Sequence, residues 1–185
     1  QMLDWAWRGE GWNAQSLIHN DVYRDGFECE EGLSYNFAMR DQLVQMARLF
    51  QRAGRSIWPE PKLRKLLDAP LDVTILGRFT PAMGDSGGMP SSGKMGWTPA
   101  IYALGYQAYK DPRYAVVAAA DTGGRDAMFQ QDPGAEIKRV AQEQGAGQPL
   151  QSRNLGGFGL GILERGQGDS GQALSLYSVE YLVHE

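Results

Sequence analysis

The sequence predicts an α+β protein, in which a mainly helical region over residues 1–148 precedes the first antiparallel strands of a second region, residues 149–185. Two observations predict this class. Up to about residue 145 the apolar residues recur three or four apart, which is the period of an amphipathic helix. After Gln148 they alternate with polar residues and glycines, which is the period of a half-buried strand.

The composition is that of a globular chain with a mildly acidic balance. Among 185 residues, 18 are basic, 22 are acidic and 42% are apolar. A net charge of −4 without a dense Lys/Arg cluster gives no general attraction to nucleic acid, so we expect no nucleic-acid partner. Because no run of about 18 apolar residues occurs, we also expect no membrane insertion.

Metal-binding side chains are scarce in this sequence. Cys29 is the one cysteine, and His19 and His184 are the two histidines. A disulfide needs two cysteines and a thiolate zinc site needs several ligands, so we expect no metal site built from this chain alone.

Four helices are predicted in the first 80 residues. Residues 13–23 turn Leu17 inward and end at a predicted Asp25-Gly26 turn. The clearest helix is 35–53, for which Ser34 is the expected N-cap. A short helix over 62–67 follows a proline, and 71–79 is a further candidate helix.

Three more helices are predicted before the change of period. Thr98-Pro99 supplies an N-cap and a proline at the first helical position, so we expect a helix over 98–109. Asp111-Pro112 repeats this signal for 112–120. The last predicted helix, 135–144, follows a Pro-Gly turn.

Two strands follow, over 158–165 and 173–181, with a glycine-rich turn over 166–171 between them. This pattern predicts a β-hairpin. Because an isolated hairpin is marginally stable in water, the pattern indicates part of a larger β-structure.

Two glycine-rich segments resemble known motifs but fit them poorly. Gly84-Asp85-Ser86-Gly87-Gly88 matches the nucleophile segment of chymotrypsin-like proteases, yet its flanks are predicted to be helical and neither histidine has a matching context. We interpret it as a loop between helices that lines a cleft. The segment 157–161 alternates glycine with apolar residues, which is typical of a strand and not of a nucleotide-binding loop.

The most informative stretch joins an acidic turn to the start of the long helix. It places Tyr35 and Asn36 at a helix N-terminus, where backbone N–H groups and the helix dipole favour negative charge. A tyrosinate would be stabilised there, which makes Tyr35 a candidate base. The alternative is that Tyr35 packs on the core and Asn36 only makes hydrogen bonds.

This stretch resembles the heparinase II/III-like polysaccharide lyases. The matching residues are Asp21, Tyr23, Asp25, Gly26, Glu30, Tyr35 and Asn36. The resemblance implies an incomplete α/α toroid for residues 1–148 and the beginning of an antiparallel β-sandwich for residues 149–185. The loop at 84–86, the helical pair at 98–120 and the segment 159–166 occur in the same order as in that family.

The resemblance also implies roles for five residues. Tyr35 matches the catalytic tyrosine, and His184 aligns with a histidine of the catalytic cleft. Glu30, Asn36 and Asp85 are the implied substrate-binding residues. The sequence departs from the family pattern at positions 32–33, where Gly-Leu stands in place of the common Ser-Pro.

The implied activity is β-elimination in an acidic, uronate-containing polysaccharide, in a periplasmic or extracellular location. No cofactor is required by that chemistry, and a structural zinc in the β-domain is compatible with the resemblance. Two alternatives stay open: a carbohydrate-binding or structural relative without turnover, and a toroid glycoside hydrolase that pairs Glu30 or Glu31 with Asp85.

Arginine outnumbers lysine by 13 to five, which suits recognition of carboxylate or sulfate by the planar guanidinium. For Arg24, Arg40, Arg78 and Arg113 taken singly, we expect ordinary surface charge.

Overall fold

The computed structural model describes residues 1–29, 32–77, 79–83, 98–120, 132–145, 151–166 and 170–178. In this part of the chain helices precede a three-stranded antiparallel sheet, which confirms the α+β class. The helices are α1 (Met2–Arg8), α2 (Ala14–Ser16) with a π-helical turn (Leu17–Asp21), α3 (Leu33–Arg52), α4 (Pro61–Asp72), α5 (Pro99–Tyr109), α6 (Pro112–Ala118) and α7 (Ala135–Gln144). The strands are β1 (Arg153–Leu155), β2 (Leu160–Arg165) and β3 (Gln172–Tyr177).

Helix α3 is the long helix that the spacing of apolar residues predicts, but it begins earlier than expected. Gly32 is the N-cap, in an extended conformation and without a side-chain cap, and Ser34 lies inside the first turn. The prediction of Ser34 as N-cap is therefore wrong. The first turn already starts at Leu33, because the backbone N–H groups of Tyr35 and Asn36 donate to the Gly32 carbonyl, and this places Ser34 inside the helix.

Helix α4 replaces two predicted helices. It runs through Pro70 and ends at Asp72, so the predicted helix over 71–79 is wrong. The apolar face of α4 is buried on both sides of Pro70, and this packing outweighs the loss of one backbone hydrogen bond near the helix end. After α4 the chain turns back on itself, and an isolated antiparallel bridge joins Ile75 to Phe79.

Helices α5 and α6 start at the two Xaa-Pro signals. Asp111 caps α6 through a hydrogen bond from the Arg113 N–H, as expected. Thr98 is the N-cap of α5, but its hydroxyl donates to Asp41 on α3 and accepts no capping hydrogen bond from the N–H groups of α5. Helix α5 ends at Lys110, which adopts a left-handed conformation.

The sheet has the order β1-β2-β3, and both pairs are antiparallel. Strands β2 and β3 form the predicted hairpin, in which Leu163 pairs with Leu174. Strand β1 was not predicted, since three residues are too few to show an alternating pattern. Leu160 and Ile162 are fully buried, whereas Leu163 and Leu174 are more than half exposed, so the sheet packs on the helices through one face.

Two apolar clusters form the core of the described residues. The first joins the helices α1 to α7 around Leu63, Leu67, Tyr102 and Tyr114. The second joins the start of α3 and the end of α4 to the sheet; its buried members include Phe27, Leu33, Phe37, Val73, Phe158 and Leu160. The helical residues and the hairpin thus share a core, which contains the segment just before Tyr35.

No described helix combines the length and the apolar character that crossing a bilayer requires.

Candidate functional site

The turn before the long helix is a tight reversal that closes on itself. Val22 and Glu28 form an antiparallel bridge, and the Tyr23 N–H donates to the Phe27 carbonyl at 2.6 Å. Gly26 has φ +89°, and a Cβ atom at this position would lie 2.0 Å from the Lys65 carbonyl oxygen. Glycine is therefore required both for the backbone conformation and for the close approach to α4.

Asp25 attaches this turn to the sheet. Its Oδ2 accepts hydrogen bonds from the N–H groups of Gly157 at 2.7 Å and Phe158 at 3.0 Å. Its Oδ1 is buried and has no hydrogen-bond partner in the described part of the chain. The Asp-Gly pair of the motif therefore has a structural function, which is to dock the motif on the hairpin.

Aromatic packing reinforces the same junction. The rings of Phe27 and Phe158 stack with centroids 4.4 Å apart. The ring of Tyr177, a residue of β3, has its centroid 5.4 Å from that of Phe158. Ring pairs in this range add stabilisation beyond their buried area.

Asn36 fixes the loop that enters α3. The side chain is buried, its Oδ1 accepts from the Glu28 N–H at 2.6 Å, and its Nδ2 donates to the Gly32 carbonyl at 3.2 Å. These bonds supply a structural reason for an asparagine at this position. Its implied role in substrate binding stays a prediction.

Tyr35 lies beside Asn36 but points the other way. Its side chain is 51% exposed, so the alternative that Tyr35 packs on the core is wrong. Its backbone N–H donates to the Gly32 carbonyl within the first turn of α3. Tyr35 is thus half exposed at the start of α3, where its neighbour Asn36 is buried and holds the entering loop.

Tyr23 is a second phenol of the motif, and its environment differs. Partial burial, followed by the nearby Cys29 and Asp25 charges, raises the pKa of Tyr23. This phenol stays protonated at neutral pH, so it is not a candidate base.

The other predicted site residues, Glu30, Asp85 and His184, lie outside the described residues. The same holds for Ser86 and Arg78. The expected cleft between the Tyr35 hydroxyl and the loop 84–88 therefore stays a prediction.

Arg40 is not a surface residue, so that expectation is wrong. It is 1% exposed and pairs with Asp41 at 2.6 Å, and its guanidinium lies 5.4 Å from the Phe37 ring centroid and 5.5 Å from that of Tyr102. It follows Phe37 by three positions, on the buried face of α3. The spacing of Arg40 from Phe37 indicates the buried face of α3, but a charged residue is usually expected at the surface.

Arg113 is likewise part of a network and not an isolated surface charge. It contacts the carboxylates of Asp111 at 2.7 Å and Asp68 at 2.6 Å, and the Tyr114 hydroxyl donates to Asp68 at 2.9 Å. Burial and the Asp68 charge raise the pKa of Tyr114. Although burial acts in the opposite direction, hydrogen bonds from Arg113 hold the pKa of Asp111 below its usual value. The network ties α4 to α6.

A cavity in the described residues lies away from Tyr35. It has a volume of about 580 Å³ and lies between the C-terminal half of α3 and α5. Its nearest α3 residue, Gln45, is ten positions from Tyr35, a separation of about 15 Å along the helix axis. Arg48 and Arg52 line this cavity, and neither has an ion-pair or hydrogen-bond partner among the described residues.

Metal ligands do not cluster in the described part of the chain, where no group of three or more His, Cys, Asp or Glu side chains is placed to hold an ion. The structural zinc that the resemblance allows is not tested by this, since His184 lies outside that part.

Comparison of the chain with family models, with curated proteins and with solved structures found no match. The resemblance to heparinase II/III-like lyases rests on the sequence motif around Tyr35 and stays a prediction.

Proposed function

We propose that this chain belongs to a polysaccharide lyase that cleaves an acidic, uronate-containing polysaccharide by β-elimination, with Tyr35 as the proton-transfer residue. The observation that supports the proposal most is the contrast between Tyr35 and its neighbour. Asn36 is buried and bonded to the backbone, whereas the adjacent phenol is half exposed at the start of α3. The backbone of Tyr35 is thus held in the first turn of α3, and the residue is half exposed.

The chemistry needs one group that both removes and delivers a proton. A base takes the C5 proton of the uronate, the C5–H electrons form a C4–C5 double bond, and the C4–O bond breaks towards the leaving sugar. The leaving oxygen then takes up a proton, which Tyr35 can supply from the hydroxyl that accepted the first one. Neutralising the uronate carboxylate is required to make C5 acidic.

The test is Tyr35→Phe in the intact protein, assayed with uronate polysaccharides by the ultraviolet absorbance of the unsaturated product. Loss of a general acid–base group lowers kcat by about 10²- to 10⁴-fold, and we expect KM to change little. A hydrolase would release reducing ends without this absorbance. That outcome would replace the proposal by the hydrolase alternative.

Ser86→Ala is the matched control, because it removes one hydroxyl from the protease-like segment. We expect turnover close to that of the unaltered protein. If Ser86→Ala abolished activity, or if Tyr35→Phe retained it, Tyr35 would not be the proton-transfer residue.

The second candidate function is carbohydrate binding without turnover. The cavity lined by Arg48 and Arg52 favours it, since that cavity lies well away from Tyr35 and has features of a binding site.

A further inference from the structure

The cavity between α3 and α5 has the size and the lining of a small-ligand site. Its volume of about 580 Å³ falls within the roughly 300–1,000 Å³ that is usual for such sites. One wall is apolar and comes from α5, where the half-buried Ala103 and Leu104 face the cavity and Ile101 lies behind them in the core. The opposite wall comes from α3 and is polar.

Two arginines stand out on the polar wall. Arg48 and Arg52 are four positions apart, so their side chains lie next to each other on one face of α3. Neither contacts a carboxylate in the described residues, and like charges at this spacing repel. Gln45, one turn earlier, adds an amide to the same face.

The arginines of the described residues divide into those that pair with a carboxylate and those that do not; Arg8, Arg24 and Arg165 have no carboxylate partner there, as is the case for Arg48 and Arg52. Arg40, Arg113 and Arg153 each pair with a carboxylate, and so does Arg64 at the second, shallower groove of about 510 Å³ near the start of α4. In the α3–α5 cavity the carboxylate Asp132 is already engaged, because it accepts from the Gly134 N–H and pairs with Lys138. Within the described residues, the guanidinium groups of Arg48 and Arg52 therefore have no carboxylate partner and face the cavity.

We propose that this cavity binds the carboxylate of an acidic sugar, with Arg48 and Arg52 on the carboxylate and the Ala103–Leu104 wall against the sugar ring. The planar guanidinium matches a carboxylate in a bidentate manner, and the apolar wall suits the C–H face of a pyranose. That the sugar belongs to the polysaccharide substrate rests on the proposed function. The affinity for an acidic sugar does not depend on Tyr35.

The experiment is a titration of the 185-residue chain by calorimetry, at low ionic strength. The probes are a uronate hexasaccharide, a neutral glucose hexasaccharide of equal length, and inorganic sulfate. We expect the uronate oligomer to bind at least about tenfold more tightly than the neutral one, which corresponds to one charge-assisted contact. Binding of sulfate without binding of the uronate oligomer would mean an adventitious anion site and overturn the proposal.

Variants locate the binding. The R48A/R52A double variant should lose at least about tenfold in affinity for the uronate oligomer. The matched control is Arg165→Ala, which removes an exposed arginine on β2 that bonds to Gln172, and it should stay within about twofold. Circular dichroism of each variant checks that the fold is retained. Equal losses in R48A/R52A and Arg165→Ala, or binding of both oligomers alike, would overturn the proposal.

Tyr35→Phe separates this inference from the proposed function. We expect it to leave the affinity of the cavity unchanged. If elimination persists in Tyr35→Phe while R48A/R52A loses binding, the catalytic proposal fails and the cavity site stands. If elimination needs Tyr35 but R48A/R52A binds normally, the cavity site fails alone.

Discussion

The carboxylate of Asp25 lies 2.7 Å from the backbone nitrogen of Gly157, a residue 132 positions later in the sequence. The second oxygen of this carboxylate is buried and unpaired among the described residues, and a Cβ atom on Gly157 would come within 2.6 Å of it. The contact thus joins the turn before Tyr35 to the segment that leads into β2. The Asp25 carboxylate accepts the hydrogen bond, and the lack of a side chain at Gly157 leaves room for it.

Asp25→Ala should destabilise the protein, because two buried N–H groups lose their acceptor. We expect a loss of about 2–4 kcal/mol in the free energy of unfolding, measured with urea. Gly157→Ala should also destabilise, by about 1–3 kcal/mol, since its methyl group would press on the carboxylate. In a double-mutant cycle Gly157→Ala should cost less free energy of unfolding in the Asp25→Ala background than in the unaltered protein. The reason is that Asp25→Ala removes the carboxylate atoms that the new methyl group would meet. Additive losses would show that the two residues do not share one contact.

Asn36→Ala should lower stability by about 1–3 kcal/mol, because the Glu28 N–H is left without its acceptor in a buried position. Tyr35→Phe, one residue earlier, should change stability by less than about 0.5 kcal/mol, as is usual for an exposed side chain. Thermal unfolding of both variants measures the difference. A large loss in Tyr35→Phe would mean that the phenol is structural.

Asp111→Asn should destabilise at pH 7 by about 1–3 kcal/mol, because the carboxylate caps α6 and pairs with Arg113. The folded protein holds the pKa of Asp111 below the unfolded value of about 3.9. Its ionic contribution is therefore present above about pH 4 and is lost as the pH falls through the folded pKa. The difference between the unaltered protein and Asp111→Asn should shrink at pH 3, whereas Asp4→Asn, an exposed carboxylate, should have little effect at either pH.

Lys110→Gly should stabilise the protein, because Lys110 has φ +55° at the end of α5, where glycine has no steric penalty. We expect a gain of about 0.5–1 kcal/mol after allowing for its exposed ion pair with Glu136. Lys110→Ala is the control, since it removes the same ion pair and keeps the strained conformation. It should be neutral or destabilising. A gain from both variants would assign the effect to charge and not to backbone strain.

The sequence is most reliable where a start signal coincides with a strong apolar period. Helices α5, α6 and α7 and the β2–β3 hairpin follow such signals, and their bounds lie close to those predicted. Helix α3 follows from its apolar period alone, since its predicted N-cap is wrong. The sequence fails where tertiary packing outweighs a local signal, as at Pro70 in α4. It also misses β1, whose three residues gain their structure by pairing with β2.

The candidate site shows the same division. The position of Tyr35 near the start of a helix follows from local sequence, and so does its neighbour Asn36. The roles of Asp25 and Gly26 in docking the hairpin and α4 could not be predicted, because their partners are distant in the sequence. The sequence alone does not predict that Arg48 and Arg52 line a cavity, because the other wall comes from α5, about 50 residues later.

The Asp25–Gly157 contact also imposes an order on events at the ribosome. At roughly 5–20 residues per second, the 132 residues that separate the two partners take about 7–26 s to synthesise. Phe27 and Phe37 have no sheet to pack against during that interval. The turn before Tyr35 is thus translated early, but its contacts with the sheet form late. The packing around this turn is established only after the strands have left the ribosome and covered the second apolar cluster.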